Sequence, residues 1–190
     1  GNPQPGLTAT ADFTVDDVRV GTGTTEWDFT IALANTSGGP ISASRVSILG
    51  FDTNPDVILS ASTVSGGTFD TVAAGNMPQL GNLEVCLTGV NCAGGGGGGV
   101  GIGTIATLIV TLTFAGDVTS LMMDNFGVRY QSIVGSSYGT SGTGIGTVVP
   151  VPAAVWLFLS ALMGLFAARR LRRPRNDNAS SPINQALQTA

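Results

Sequence analysis

Trp27-Asp28-Phe29-Thr30-Ile31-Ala32-Leu33-Ala34 alternates large apolar residues with small or polar ones. Successive side chains of an extended chain point to opposite faces. Trp27, Phe29, Ile31 and Leu33 therefore share one face, and Asp28, Thr30, Ala32 and Ala34 share the other. This predicts a half-buried β-strand.

The same rhythm recurs on both sides of it. Phe13 and Val15 alternate, then Asp16-Asp17 shifts the phase before Val18 and Val20, which predicts a bulge or turn. Val46 and Ile48 lead toward Phe51. Leu108, Val110, Leu112 and Phe114 face one way, with Thr107, Thr111 and Thr113 facing the other. Phe126, Val128 and Tyr130 alternate with Arg129 and Gln131. Gly, Asn, Asp and Pro clusters at 35–40, 52–55 and 66–67 separate these runs. Roughly six to nine short strands and no amphipathic helix predict an all-β domain over 1–134. The expected fold is a small β-sandwich, Ig-like or jelly-roll-like; an open barrel is the alternative.

Beyond the strands the composition changes. Eleven of the thirteen residues 135–147 are Gly, Ser or Thr, which reads as a flexible linker. Random-coil scaling gives it a reach of about 20 Å. Residues 148–168 then carry no charge. As a helix they would extend roughly 32 Å, enough to cross a bilayer's hydrocarbon core. Trp156 stands near the start of the run, where an amphipathic ring suits the interface. Arg169, Arg170, Arg172, Arg173 and Arg175 follow at once and mark 169–190 as a basic tail. Their clustering predicts a cytoplasmic C-terminus, with the strand-rich part on the other side of the membrane. The sequence opens on Gly1, and a secretory signal peptide removed before it is the expectation.

Val149-Pro150-Val151-Pro152, the apolar run and the arginine cluster together resemble a PEP-CTERM sorting signal, closest to its Val-Pro-Leu-Pro-Ala variant. Val151 stands where that family carries Glu or Leu, and Asn176–Ala190 extends past the usual end of such signals. The resemblance implies export by a Gram-negative bacterium that makes exopolysaccharide. It also implies recognition near Pro150 and Pro152 by an exosortase, a membrane transpeptidase-like enzyme. Cys86, Cys92, the glycine run after them and Phe126-Gly127-Val128-Arg129-Tyr130-Gln131-Ser132 resemble the cistern family of PEP-CTERM proteins. That group implies no particular activity.

Composition narrows the chemistry. Residues 1–150 hold eleven acids and three arginines, Arg19, Arg45 and Arg129. An acidic domain without a basic cluster is no nucleic-acid binder. The sequence has no His, and all eight basic residues are Arg. A Ser-His-Asp or Cys-His set, a Schiff base and a Ser-Lys dyad are all excluded. Paired carboxylates such as Asp16 or Asp17 with Glu26 are conceivable, but scattered acids on a small sandwich read as solvated charge. The expectation is no catalysis and no cofactor.

Cys86 and Cys92, with Gly89 and Asn91 between them, predict a local disulfide in an oxidising compartment. Two thiols without His cannot make a zinc site. Asp52, Asn54 and Asp56 have the alternate spacing of a calcium loop, but Val57 stands where such a loop needs Gly and Thr63 where it needs Glu. An ordinary Asx turn is the expectation there, with a Ca²⁺ site as the weaker reading. Gly94 to Gly99 reads as a flexible or extended loop; its chance G-x-G-x-x-G match precedes a strand, not a helix. Arg129, in an apolar strand, is expected to face solvent or pair with Asp124.

The function expected from these features is that of an exported, membrane-anchored cell-surface protein linked to exopolysaccharide or biofilm. Its partners would be the membrane, an exosortase-like enzyme and extracellular polysaccharide. One alternative is a carbohydrate-binding module on the same anchor, with Trp27, Tyr130 and Tyr138 as its aromatics. Another is a structural subunit that assembles through its strand edges.

Overall fold

In the computed structural model, which describes residues 4–94 and 96–148, the Trp27–Ala34 alternation lies within β2 (Thr24–Asn35). Phe29, Ile31 and Leu33 are buried, as their spacing requires. β1 (Ala9–Val20) pairs with β2 along its whole length, and its register slips between Val15 and Asp17. The bulge therefore falls where the two aspartates break the alternation.

The strands form two antiparallel sheets. One has the order β1-β2-β8-β4, with β8 at Ile105–Ala115 and β4 at Thr63–Ser65. The other runs β10-β9-β3-β6-β5: Ser141–Ile145, Met122–Val134, Ala43–Asn54, Gly81–Thr88 and Thr71–Met77. β7 (Val100–Gly101) pairs with the start of β3. A 3-10 turn spans Leu59–Ala61. The all-β sandwich expected from the alternation is present.

The main core lies between the sheets. Leu108, Val110, Leu112 and Phe114 of β8 meet Val46, Leu49, Phe51, Val85, Leu87 and Tyr130 of the larger sheet. Burying such side chains stabilises the fold by about 1.5–3 kcal/mol each. Phe51 anchors an aromatic group, its ring 5.8 Å from Phe13 and 5.7 Å from Phe126.

A smaller core covers the opposite face of the larger sheet. Gly50 sits between the core residues Leu49 and Phe51, so its missing side chain would point away from the main core. Gly127 pairs directly with it across β3 and β9. A Cβ on Gly50 would collide with Leu83 and Met77, and one on Gly127 with Leu80. The two glycines thus leave a dent that Met77, Leu80 and Leu83 fill, beside Ile48, Cys86 and Cys92.

The expected linker is a strand in part. Ser141–Ile145 form β10 on the open edge of β9, and the compact unit extends to Val148 rather than 134. Small residues make this possible. A Cβ on Gly142 would press on Gln4 and Leu7, which pack beside that strand. The apolar run read as a transmembrane helix lies beyond Val148, outside the described residues. Among the described residues no helix is long and apolar enough to cross a membrane.

Candidate functional site

Arg129 is the least expected feature of the domain. Its neighbours Val128 and Tyr130 face the main core, so Arg129 projects onto the opposite face of the larger sheet. There it is only 9% exposed and does not pair with Asp124. Its Nη1 donates to Thr143 Oγ1 at 3.1 Å and its Nη2 to Ser141 Oγ at 2.9 Å, both on β10. Thr143 in turn donates to the Pro78 carbonyl at 2.5 Å. The Arg129 Nε has no hydrogen-bond partner among the described residues. Burial pushes the guanidinium pKa below its ordinary value. The Gly/Ser/Thr composition of 135–147 gives no local sign of β10, the strand that covers Arg129.

Arg45 lies on the same face, opposite Gln131. Its Nη2 donates to Gln131 Oε1 at 2.7 Å and to the Gly96 carbonyl at 2.6 Å, and its Nη1 bonds the Gly98 carbonyl. Its Nε donates to Ser132 Oγ at 3.2 Å. Arg45 of β3 therefore ties the glycine run, through the Gly96 and Gly98 carbonyls, to Gln131 and Ser132 of β9. The run's lack of side chains matters here: a Cβ on Gly94 would press on Gln131 and fall 3.4 Å from Arg129 Cγ.

Cys86 and Cys92 form the expected disulfide, with Cα atoms 5.5 Å apart. Both are buried in the smaller core. The ring fixes the chain just before the glycine run, and Arg45 holds the run itself at Gly96 and Gly98.

The acidic candidates are engaged elsewhere. Asp52 and Asn54 belong to β3 and do not enclose a loop. Asp52 Oδ1 accepts the Glu84 amide at 2.8 Å, and Oδ2 accepts Asn125 Nδ2 at 2.8 Å. Glu84 accepts Thr53 N at 2.9 Å and Val57 N at 2.6 Å. These carboxylates tie the β3 end to β6 and β9, so the Asp52, Asn54 and Asp56 spacing makes no Ca²⁺ cage. Among the described residues no group of three or more His, Cys, Asp or Glu could hold a metal ion.

Asp16, Asp17 and Glu26, the carboxylates considered for catalysis, flank Arg19 on the smaller sheet. Arg19 reaches Glu26 at 2.8 Å, Asp17 at 3.5 Å and Asp28, which also accepts Thr111 Oγ1 at 2.7 Å. Asp16 accepts Thr30 Oγ1 at 2.7 Å. Arg19, then the Thr111 hydroxyl, holds the Asp28 carboxyl below its usual pKa against a raising effect of burial. A lowered folded-state pKa contributes stability above the unfolded-state value, and that contribution is lost as pH falls through the folded-state value. Asp28→Asn is thus expected to lower the thermal midpoint slightly at pH 7. The deficit should shrink as pH falls below the ordinary carboxylate range; a deficit unchanged there would remove the ion pair as its cause.

The aromatics do not form a sugar platform. Tyr130 is buried in the main core, and burial raises the pKa of its phenol. Trp27 packs against the main core and donates Nε1 to the Val118 carbonyl at 3.3 Å. Only Tyr138 of the three is exposed. The sorting motif Val149-Pro150-Val151-Pro152 and the arginines from Arg169 to Arg175 lie outside the described residues.

Comparisons with protein-family models, with curated proteins and with solved structures find no match for this chain.

Proposed function

We propose that this chain is an exported, membrane-anchored cell-surface protein of the exopolysaccharide layer, sorted by an exosortase-like enzyme. The observation that carries this reading is the order Pro motif, uncharged run, arginine cluster over 149–175. On this reading the sandwich, Ig-like or jelly-roll-like in its connectivity, is the exported domain. Residues 148–168 form a transmembrane helix, and the arginines stop transfer at the cytoplasmic face. Pro150 and Pro152 keep the segment before the helix extended and short of backbone donors, so a processing enzyme can grip it.

Two properties of the folded part support the reading. The buried Cys86–Cys92 disulfide suits an oxidising compartment. The acids outnumber the arginines in residues 1–150, whereas five of the six charged residues after 168 are Arg.

The test is expression in an exosortase-bearing bacterium, followed by fractionation and mass spectrometry of the mature protein. The expected product has lost the tail from about Pro152. Pro150→Ala with Pro152→Ala should accumulate the full-length, membrane-bound form. Replacing all five arginines from Arg169 to Arg175 by Gln should weaken retention and let the C-terminus cross the membrane. A full-length wild-type product in the soluble fraction would defeat the proposal.

A further inference from the structure

β10 is held to the domain by little more than its ladder with β9. Its residues are Ser141-Gly142-Thr143-Gly144-Ile145. Glycine inside a strand weakens it, and this strand has two. Ile145 is its one bulky apolar residue and is 73% exposed, so almost no apolar burial holds the strand down. A small latch adds to the ladder. Gln4 Nε2 donates to the Ser141 carbonyl at 3.0 Å, and Ser136 Oγ donates to Gln4 Oε1 at 2.9 Å. The connection from β9 carries a swivel at Gly139, whose φ is 112° and whose missing side chain would meet open space.

What lies under β10 opposes its docking. Arg129 stands opposite Thr143 in the ladder. β10 supplies the two side-chain acceptors of its guanidinium, Ser141 Oγ and Thr143 Oγ1, and both are neutral. Among the described residues no carboxylate lies within ion-pair distance of Arg129, and its buried Nε has no acceptor. Hydroxyls in place of a counter-charge leave much of the cost of burying a guanidinium unmet. Release of β10 returns Arg129 to water. It also bares the edge of β9 from Gly127 to Gln131, while β3 still holds the other edge of the same residues. A bare edge on a fixed strand is a template for another strand.

Charge sets the occupant. Any strand in the register of β10 places one side chain opposite Arg129, where Thr143 now stands. A carboxylate there would accept charge-assisted hydrogen bonds, stronger than those the hydroxyl accepts. We infer that β10 is a releasable cover, and that the β9 edge beneath it accepts an extended segment of a partner protein with Asp or Glu opposite Arg129. Ser141 and Thr143 stand in for that acid while the cover is closed. The inference rests on the described domain alone and goes beyond the anchoring and sorting proposed above.

The test uses the full chain in nonionic detergent. Hydrogen exchange in residues 141–145 should be at least about a hundredfold faster than in β2 and β8. Gln4→Ala, which removes the latch, should quicken it further with little change in the thermal midpoint. Thr143→Glu should slow it by at least about tenfold relative to Thr143→Gln; both variants lose the hydroxyl bond to the Pro78 carbonyl. That advantage should disappear in Arg129→Gln. If Arg129→Gln does not fold, acidifying until the introduced carboxylate is protonated gives the same comparison. Two synthetic peptides copying residues 140–146, one with Glu and one with Gln in place of Thr143, are then titrated into the nitrogen-15-labelled Gln4→Ala chain. The Glu peptide should shift the amide resonances of residues 127–131 saturably, with an affinity at least about tenfold above that of the Gln peptide. Protection of residues 141–145 equal to that of β2, equal behaviour of Glu and Gln, or no binding of either peptide overturns the inference. So does a Gln4→Ala chain that dimerises by trading its β10 strands, which makes a second copy the occupant.

Discussion

Phe51→Ala is expected to lower the unfolding free energy by about 3–5 kcal/mol, among the largest effects of any single truncation in this domain. Phe51 is fully buried between the two sheets. Its ring meets Phe13 of β1 and Phe126 of β9. Truncation removes the transfer free energy of the ring and opens a cavity whose walls belong to both sheets. The backbone offers little relaxation, because β3 is paired on both sides, with β9 and with β6. For a domain of this size the thermal midpoint should fall by roughly 10 °C. Ile109→Ala is the control: Ile109 is 50% exposed on the uncovered face of β8, so its loss should matter by less than about 0.5 kcal/mol. Equal effects of the two substitutions would show that the core does not lie between the sheets as described.

That core was legible because its strands obey one simple rule. In β2 and β8 every second residue is bulky, and each of those strands has one face on the core and the other turned away from it. The aspartates at 16 and 17 announced their own bulge, since two consecutive acids cannot both join an inward row. Where a strand is covered on both faces the rule fails. β3 buries Val46, Ser47, Ile48, Leu49, Gly50 and Phe51 in succession, and its register slips three times against β9. No alternation survives there, and nothing in the local sequence says that a second core lies above Ile48.

β10 was hidden for a different reason. Ser141-Gly142-Thr143-Gly144-Ile145 has the composition of a tether, and its strand character comes from the free edge of β9. Partners from Gln131 back to Gly127 and an N-terminal segment packed against Gly142 are facts of the assembled fold. The misplacement of Arg129 follows from it. Without β10 that side chain would lie on an open sheet face in water, and solvent exposure would be the sound expectation. The Gly94–Gly99 run shows the reverse effect, since composition alone could not reveal that Arg45 holds its carbonyls. The two halves of the candidate site were therefore invisible separately, and only the sheet brings them together.

The edge of the smaller sheet bears on the assembly alternative. Among the described residues β1 has no partner on its outer side, and it exposes Val15, Val18 and Val20. The same stretch carries the bulge and three exposed charged residues, Asp16, Asp17 and Arg19. Bulges and charges are the usual protection of a sheet edge against pairing with another chain. The edge is thus built more like one that stays single than one that polymerises.

The disulfide carries the second large effect. Replacing Cys86 and Cys92 together by alanine is expected to cost about 3 kcal/mol. Chain entropy supplies some of this, but the ring joins residues only six apart, and a short ring gains least in that account. The remainder comes from packing. Both half-cystines are buried, Cys92 Sγ lies 3.4 Å from the Ala73 carbonyl, and Gly75 closes over it without room to spare. Removing two sulfurs therefore hollows the smaller core beside Ile48 and Met77. The loss should also be uneven across the molecule. Hydrogen exchange is expected to quicken most in residues 88–99, which lose one of their two pins, while β2 and β8 in the main core keep their order of protection. Arg45→Ala, which removes the other pin, should loosen the same residues with a smaller fall in global stability. An unchanged unfolding midpoint in the double alanine variant would mean that the ring decorates the loop without supporting the sheet.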